Sequence, residues 1–256
     1  MRPLARRVVS AIGVVAGVVT LMFFLLRLAP GDPALLLVGP SATEEQLAAQ
    51  RVAMGLDRPL PVQYAAWVGR FARGDWGRSI ATGRPVRAML ADAWPATVRL
   101  VGISLLLSYL AGIAIGVVQA VRGGRLDTAL SVATVTLFAL PGYWLGLMLV
   151  MLFTYRLRVL PAFGSAGFDS DFLTGWERTA DRLRHLALPL ATLTLVGLGG
   201  TARFVRGAML DVVGEPYIAP ARAKGLTDID VALRHTLRNA LIPVVTLLGL
   251  SLPALF

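Results

Sequence analysis

Few residues of this 256-residue chain have types and spacings that could do chemistry. The two histidines, His185 and His235, lie fifty residues apart with a long apolar run between them, and neither is read with an acidic residue at metal-ligand spacing. No G-x-S-x-G elbow presents a serine nucleophile, and no G-x-x-x-x-G-K-[ST] loop offers backbone amides to a nucleotide's phosphates. The stretch Gly197-Leu198-Gly199-Gly200-Thr201-Ala202 fits G-x-G-x-x-A, but a dinucleotide loop must follow a strand and open a soluble helix. Here the pattern ends a long apolar segment, where small residues serve close helix packing. Cysteine is absent, so thiolate metal sites and disulfides are too. These residues predict neither an enzyme nor a metal or cofactor site. The remaining polar concentration is 215–246, which holds the only lysine, Lys224, beside Gly225.

The elements that must position that segment follow from composition. At 56% hydrophobic residues and a mean hydropathy of +0.68, the chain is too apolar for a soluble domain. Charge-free windows at 8–26, 100–121, 128–155, 185–202 and 239–256 approach the roughly 20 residues that cross a bilayer. They predict an all-α, polytopic transmembrane bundle with five spans at about 8–28, 97–121, 128–154, 185–203 and 239–256. Basic residues close to span ends set orientation. Arg2, Arg6 and Arg7 place the N-terminus in the cytoplasm, and Arg122, Arg125, Arg203, Arg206, Arg234 and Arg238 fall on the same side. Segment 29–95 is then extracytoplasmic and 204–238 is a cytoplasmic loop. The net charge of +10 sits beside membrane ends without interleaved aromatics, which argues against nucleic acid.

Within these elements, Gly13-x-x-x-Gly17, Gly112-x-x-x-Gly116 and Gly142-x-x-x-Gly146 offer faces for close backbone approach. Thr43-Glu44-Glu45-Gln46 has the spacing of a capping box, with Gly55 as its helix stop. A second outer helix from Pro61 would align Tyr64, Trp67, Val68 and Phe71. On the cytoplasmic side, Tyr217–Lys224 is expected to form a short helix stopped by Gly225. Thr227 would cap a second helix whose apolar face is Ile229, Leu233 and Leu237. Because the span interiors carry no Asp, Glu, Lys or Arg, an ion-coupled carrier mechanism is disfavoured. Any transport energy would come from outside the bilayer.

Ala221-Arg222-Ala223-Lys224-Gly225-Leu226, with Leu233-Arg234-His235 and 237–243 (LRNALIP), resembles the EAA loop of dipeptide, oligopeptide and nickel permeases of binding-protein-dependent ABC importers. The motifs RLAPGDP at 27–33, GLD at 55–57, GDWG at 74–77 and HLALP at 185–189 are similar to that family in order and position. The resemblance implies a type I ABC importer permease fold and a bacterial inner-membrane subunit. Its partners would be ABC ATPase subunits, a second homologous permease and an extracytoplasmic substrate-binding protein. It also implies that Tyr217, Ala221, Arg222, Ala223, Lys224, Gly225 and Leu226 form the ATPase-coupling site, ATP hydrolysis belonging to the partner. The family has six spans, so five imply a C-terminally truncated chain. The alternatives are a non-transporting or inactive truncated membrane scaffold and, ranked below it, an ion-coupled secondary carrier.

Overall fold

The structure, a computed structural model, describes residues 2–218, 220 and 225–255. It divides into two compact units, Met1–Ala93 and Trp94–Phe256.

The first unit carries α1 (Arg2–Leu28), α2 (Pro33–Val38), α3 (Glu44–Ala53) and α4 (Leu60–Ala72). α1 is apolar on every face, and only 6% of its most hydrophobic window is buried, as suits a helix surrounded by lipid. Its end is anchored by aromatics. Phe23, almost fully buried, meets Tyr64 and Trp67 of α4 at ring separations of 5.3 and 5.5 Å, and the Thr20 and Tyr64 hydroxyls are 2.6 Å apart. The expected face of α4 thus exists, although the helix begins at Leu60. The capping box also forms: Thr43 Oγ1 accepts from Gln46 N, and Gln46 Oε1 accepts from Thr43 N. Gly55 then leaves α3 at φ +66. Asp32 caps α2 through Ala34 N at 2.9 Å and pairs with Arg51 at 2.6 Å, and those hydrogen bonds hold its carboxyl below the usual carboxylate range. Gly13 and Gly17, by contrast, have nothing within 4 Å of where a Cβ would stand, so this small-residue pattern meets no neighbour among the described residues.

The second unit is built around α8 (Gly175–Val213), with α5 (Val86–Arg122) along one side and α6 (Gly124–Ala139) along another. Helices in lipid gain little from apolar burial against each other, so close van der Waals contact must hold them. The glycines permit that contact. A Cβ on Gly112 of α5 would stand 2.7 Å from Thr201 Cβ, and one on Gly116 would stand 2.7 Å from Ala202 O. On α8, Gly197 faces Ser108 Oγ, while Gly199 lies against the α6 backbone at Thr134 O and Phe138 N. The G-x-G-x-x-A stretch is therefore a helix-packing surface. Ser108 Oγ adds an interhelical hydrogen bond to Thr194 O at 3.0 Å.

Two expected spans differ in form. The span at 128–154 is broken: α6 stops at Ala139, Leu140 is extended (ψ 133), and α7 (Gly142–Val150) restarts after Pro141 at a bend of 100°. Proline drives the residue before it out of the helical region and itself fits the start of a helix, which explains both the stop and the restart. α7 runs on as a π-helical turn, Met151–Arg156. The span at 239–256 corresponds to α9 (Leu237–Ser251), preceded by a π-helical turn, Val231–Thr236, and followed by a 3₁₀ turn, Leu252–Leu255. Among the described residues, three helices are long and apolar enough to cross a membrane, or four if the bent pair is one span. α5 and α8 also extend well beyond the 97–121 and 185–203 expected of them. α5 takes in the last ten residues of the segment 29–95, and Pro95 lies inside the helix.

Candidate coupling site

The hairpin between α8 and α9 is fixed at its base. α8 ends at Val213, a 3₁₀ turn spans Pro216–Ile218, and Gly225 makes the turn at φ +78, a conformation costly for residues with a Cβ. Thr227 then caps the returning helix, accepting from Asp230 N at 3.2 Å and donating to Asp230 Oδ2 at 2.7 Å. Arg234 approaches the same carboxylate at 3.5 Å. Ile218 and Val231, both nearly inaccessible, pack together with Val212 and Leu226, joining the two limbs. Below them Val205 and Met209 of α8, Ala240 and Val244 of α9, Ala232 and Tyr109 of α5 form one buried cluster. The Tyr109 and Ser251 hydroxyls lie 3.0 Å apart. The described base of the hairpin is therefore joined to α8, α9 and α5 through packed side chains.

Of the expected coupling residues, Tyr217 is exposed, with its hydroxyl accepting a 3.2 Å hydrogen bond from Asn239 Nδ2. Gly225 is exposed at the turn, and Leu226 is half-buried against the Ile218–Val231 pair. Ala221, Arg222, Ala223 and Lys224 lie outside the described residues. The expected apolar face of the returning limb needs correction. Of that face Leu237 does pack against the buried cluster, but Ile229 and Leu233 remain 53% and 51% exposed, and Val231, Ala232, Thr236 and Ala240 point inward instead. The buried stripe keeps the i, i+4 spacing through Ala232, Thr236, Ala240 and Val244 but lies on a different face, where small residues permit close helix packing. Two apolar side chains are thus left on the outer surface of the returning limb.

Sequence reasoning missed an ion pair nearby. Arg206 of α8 grips Asp127 of α6 bidentately, both N–H···O distances being 2.7 Å. Asp127 Oδ1 also accepts from Ser131 Oγ at 3.1 Å, and Ser131 accepts from the buried Gln119 Nε2 of α5 at 2.9 Å. This chain of polar contacts ties α5, α6 and α8 at the hairpin end of the bundle. Arg203 extends it by lying 4.8 Å over the Phe138 ring. The available signal was the placement of opposite charges where one charge-free window begins and another ends. At the other end of α8, His185 does have an acidic neighbour: Asp181, one turn earlier, approaches Nδ1 at 3.3 Å and accepts from Gly167 N at 2.8 Å. The pair fastens the loop between α7 and α8.

Comparison with known proteins covers nearly the whole chain. Residues 110–256 match the family described as "Binding-protein-dependent transport system inner membrane component", and residues 1–101 match the N-terminal membrane-component family of the same systems. Among curated relatives, the chain is 41% identical to the probable D,D-dipeptide transport system permease protein DdpB of Escherichia coli, over 93% of this chain and 75% of that protein. It is 38% identical to the probable peptide ABC transporter permease protein y4tP of Sinorhizobium fredii, over 96% and 77%. It is 34% identical to the oligopeptide transport system permease protein AppB of Bacillus subtilis, over 97% and 78%. A helical bundle with membrane-length segments and matches covering nearly every residue lead to one assignment: the chain belongs to the binding-protein-dependent ABC permease family, as an inner-membrane component.

Proposed function

We propose that this permease is the membrane subunit of an ATP-driven importer of peptides or related small solutes. The hairpin between α8 and α9 is its contact with the ATPase. The observation that carries the reading is the hairpin's construction. Its base is locked by Ile218 and Val231, its turn requires Gly225, and Tyr217, Ile229 and Leu233 stay exposed. A surface of that kind suits docking into a groove on a soluble partner. The names of the relatives support peptides as the substrate class. In this reading the N-terminus and the hairpin are cytoplasmic, 29–95 is extracytoplasmic, and Ala221, Arg222, Ala223 and Lys224 join the contact. A second permease subunit completes the path, and a binding protein delivers solute from outside. ATP-driven closure of the ATPases would swing the hairpin and, through the cluster around Met209, rock the bundle between inward-open and outward-open states.

The test is uptake by liposomes containing this permease, its cognate second permease and ATPases, with the binding protein outside. Peptide accumulation should require internal ATP and the binding protein. Accumulation driven by a proton or sodium gradient without ATP would overturn the proposal.

A further inference from the structure

We infer that the end of the second unit remote from the hairpin holds a recognition site for the carboxylate of an apolar, peptide-sized solute, formed by Arg99 and Arg182. A crevice of about 450 Å³ lies there, within the range of small-molecule sites. One wall is a face of α5 with Arg99, Leu100 and Ile103, and the other is a face of α8 with Arg182, Leu186 and Pro189. The positions recur at helical spacing on both walls, so each helix turns a continuous stripe toward the space between them.

The segment 164–166 forms the third side. It is held in place from α8. Gly167 N donates to Asp181 Oδ2, and His185 Cδ2 lies 3.6 Å from where a Cβ on Gly164 would stand. The same contacts decide the charge of the crevice. Asp181, the acid nearest in sequence to Arg182, is already engaged by Gly167 N and His185. Among the described residues, no carboxylate lies within ion-pair distance of Arg99 or Arg182. Arg99 is oriented by an Nε hydrogen bond to Pro95 O at 3.0 Å, so its fork is held to the helix rather than sweeping freely.

Two guanidinium groups, with Ser165 and His185, beside the apolar side chains of a three-sided crevice match a ligand with one anionic end and an apolar body. A planar carboxylate suits the guanidinium fork, and an apolar side chain suits Leu100, Ile103, Leu186 and Pro189. The inference rests on the peptide-importer reading for the source of that carboxylate. An anionic lipid headgroup offers similar chemistry, and the experiment separates the two.

The probe is alanyl-leucine, as the free acid and as its C-terminal amide. Equilibrium binding is measured on the complete permease–ATPase complex in phosphatidylcholine nanodiscs, without binding protein. The free acid should bind saturably, and Arg99→Gln or Arg182→Gln should each weaken it about tenfold to a hundredfold, as expected for losing a charge-assisted hydrogen bond. Amidation should weaken binding similarly, and the amide should not distinguish variants from wild type. Arg99→Lys should recover part of the affinity by keeping charge without the fork. Three results would overturn the site: no saturable binding of the acid, equal binding of acid and amide, or unchanged affinity in both glutamine variants. Displacement of the acid by added phosphatidylglycerol, with co-purified anionic lipid lost from the variants, would assign the crevice to lipid and likewise overturn it. Failure of the importer reading shows separately, as absence of ATP-driven uptake by the wild-type complex.

Discussion

Gly225→Glu is expected to abolish ATP-driven uptake while leaving the permease inserted and folded. The residue turns the hairpin at φ +78, where a side chain with a Cβ costs about 1–2 kcal/mol. Nothing among the described residues lies within 4 Å of its Cβ position, so the damage would come from conformation and from charge at the docking surface, not from a clash inside the protein. An exposed turn spreads that cost locally. The bundle's melting temperature should therefore change little, whereas association with the ATPase should fall at least tenfold. Gly225→Asn is the informative control, because asparagine adopts the left-handed conformation more readily than other residues with a Cβ. It should retain most uptake where glutamate does not. Co-purification of the ATPase and uptake by the reconstituted complex read both quantities.

Gly199→Leu should have the opposite signature, loss of the folded bundle itself. A Cβ at this position would stand 2.7 Å from Thr134 O and 2.8 Å from Phe138 N, both backbone atoms of α6 that no rotamer change can move. Overpacking typically costs about 1–3 kcal/mol, and a leucine against backbone should reach or exceed the upper end. Gly199→Ala already meets the same two atoms and should be intermediate. Gly207, on the same helix with nothing within 4 Å, should accept leucine. The yield of monodisperse protein and its thermal melting check the series, and equal behaviour of the two leucine variants would contradict close α6–α8 packing.

These two glycines also show how far the sequence could be read. Local patterns were legible because their partners are three or four residues away: the Thr43–Gln46 box, the Tyr64–Trp67 face and the Thr227 cap all form. Small-residue spacing was legible only as a capability. Gly112 and Gly116 use it against α8, while Gly13 and Gly17 carry the same pattern without a neighbour among the described residues. The break at Leu140-Pro141 had a visible signal, but a charge-free window hides it, because hydropathy does not report backbone direction. The inward face of the returning limb escaped for a different reason. Large apolar side chains suggest a packed face at Ile229 and Leu233, whereas the small Ala232, Thr236 and Ala240, at the same i, i+4 spacing, are the ones buried. The Asp127–Arg206 pair spans 79 residues and depends on which helices are neighbours, which no local pattern states.

The central claim is that the hairpin's exposed apolar side chains touch the ATPase. The chain has no cysteine, so single thiols can be placed without removing native ones. Ile229→Cys, carrying a maleimide-benzophenone, would be photolysed in the complete complex with and without ATP, alongside Phe168→Cys, a fully exposed position of the α7–α8 loop. The account predicts that residue 229 cross-links to an ATPase subunit, with a yield that changes with nucleotide, and that residue 168 does not. Cross-linking of the ATPase from 168, or none from 229 in any nucleotide state, would contradict it.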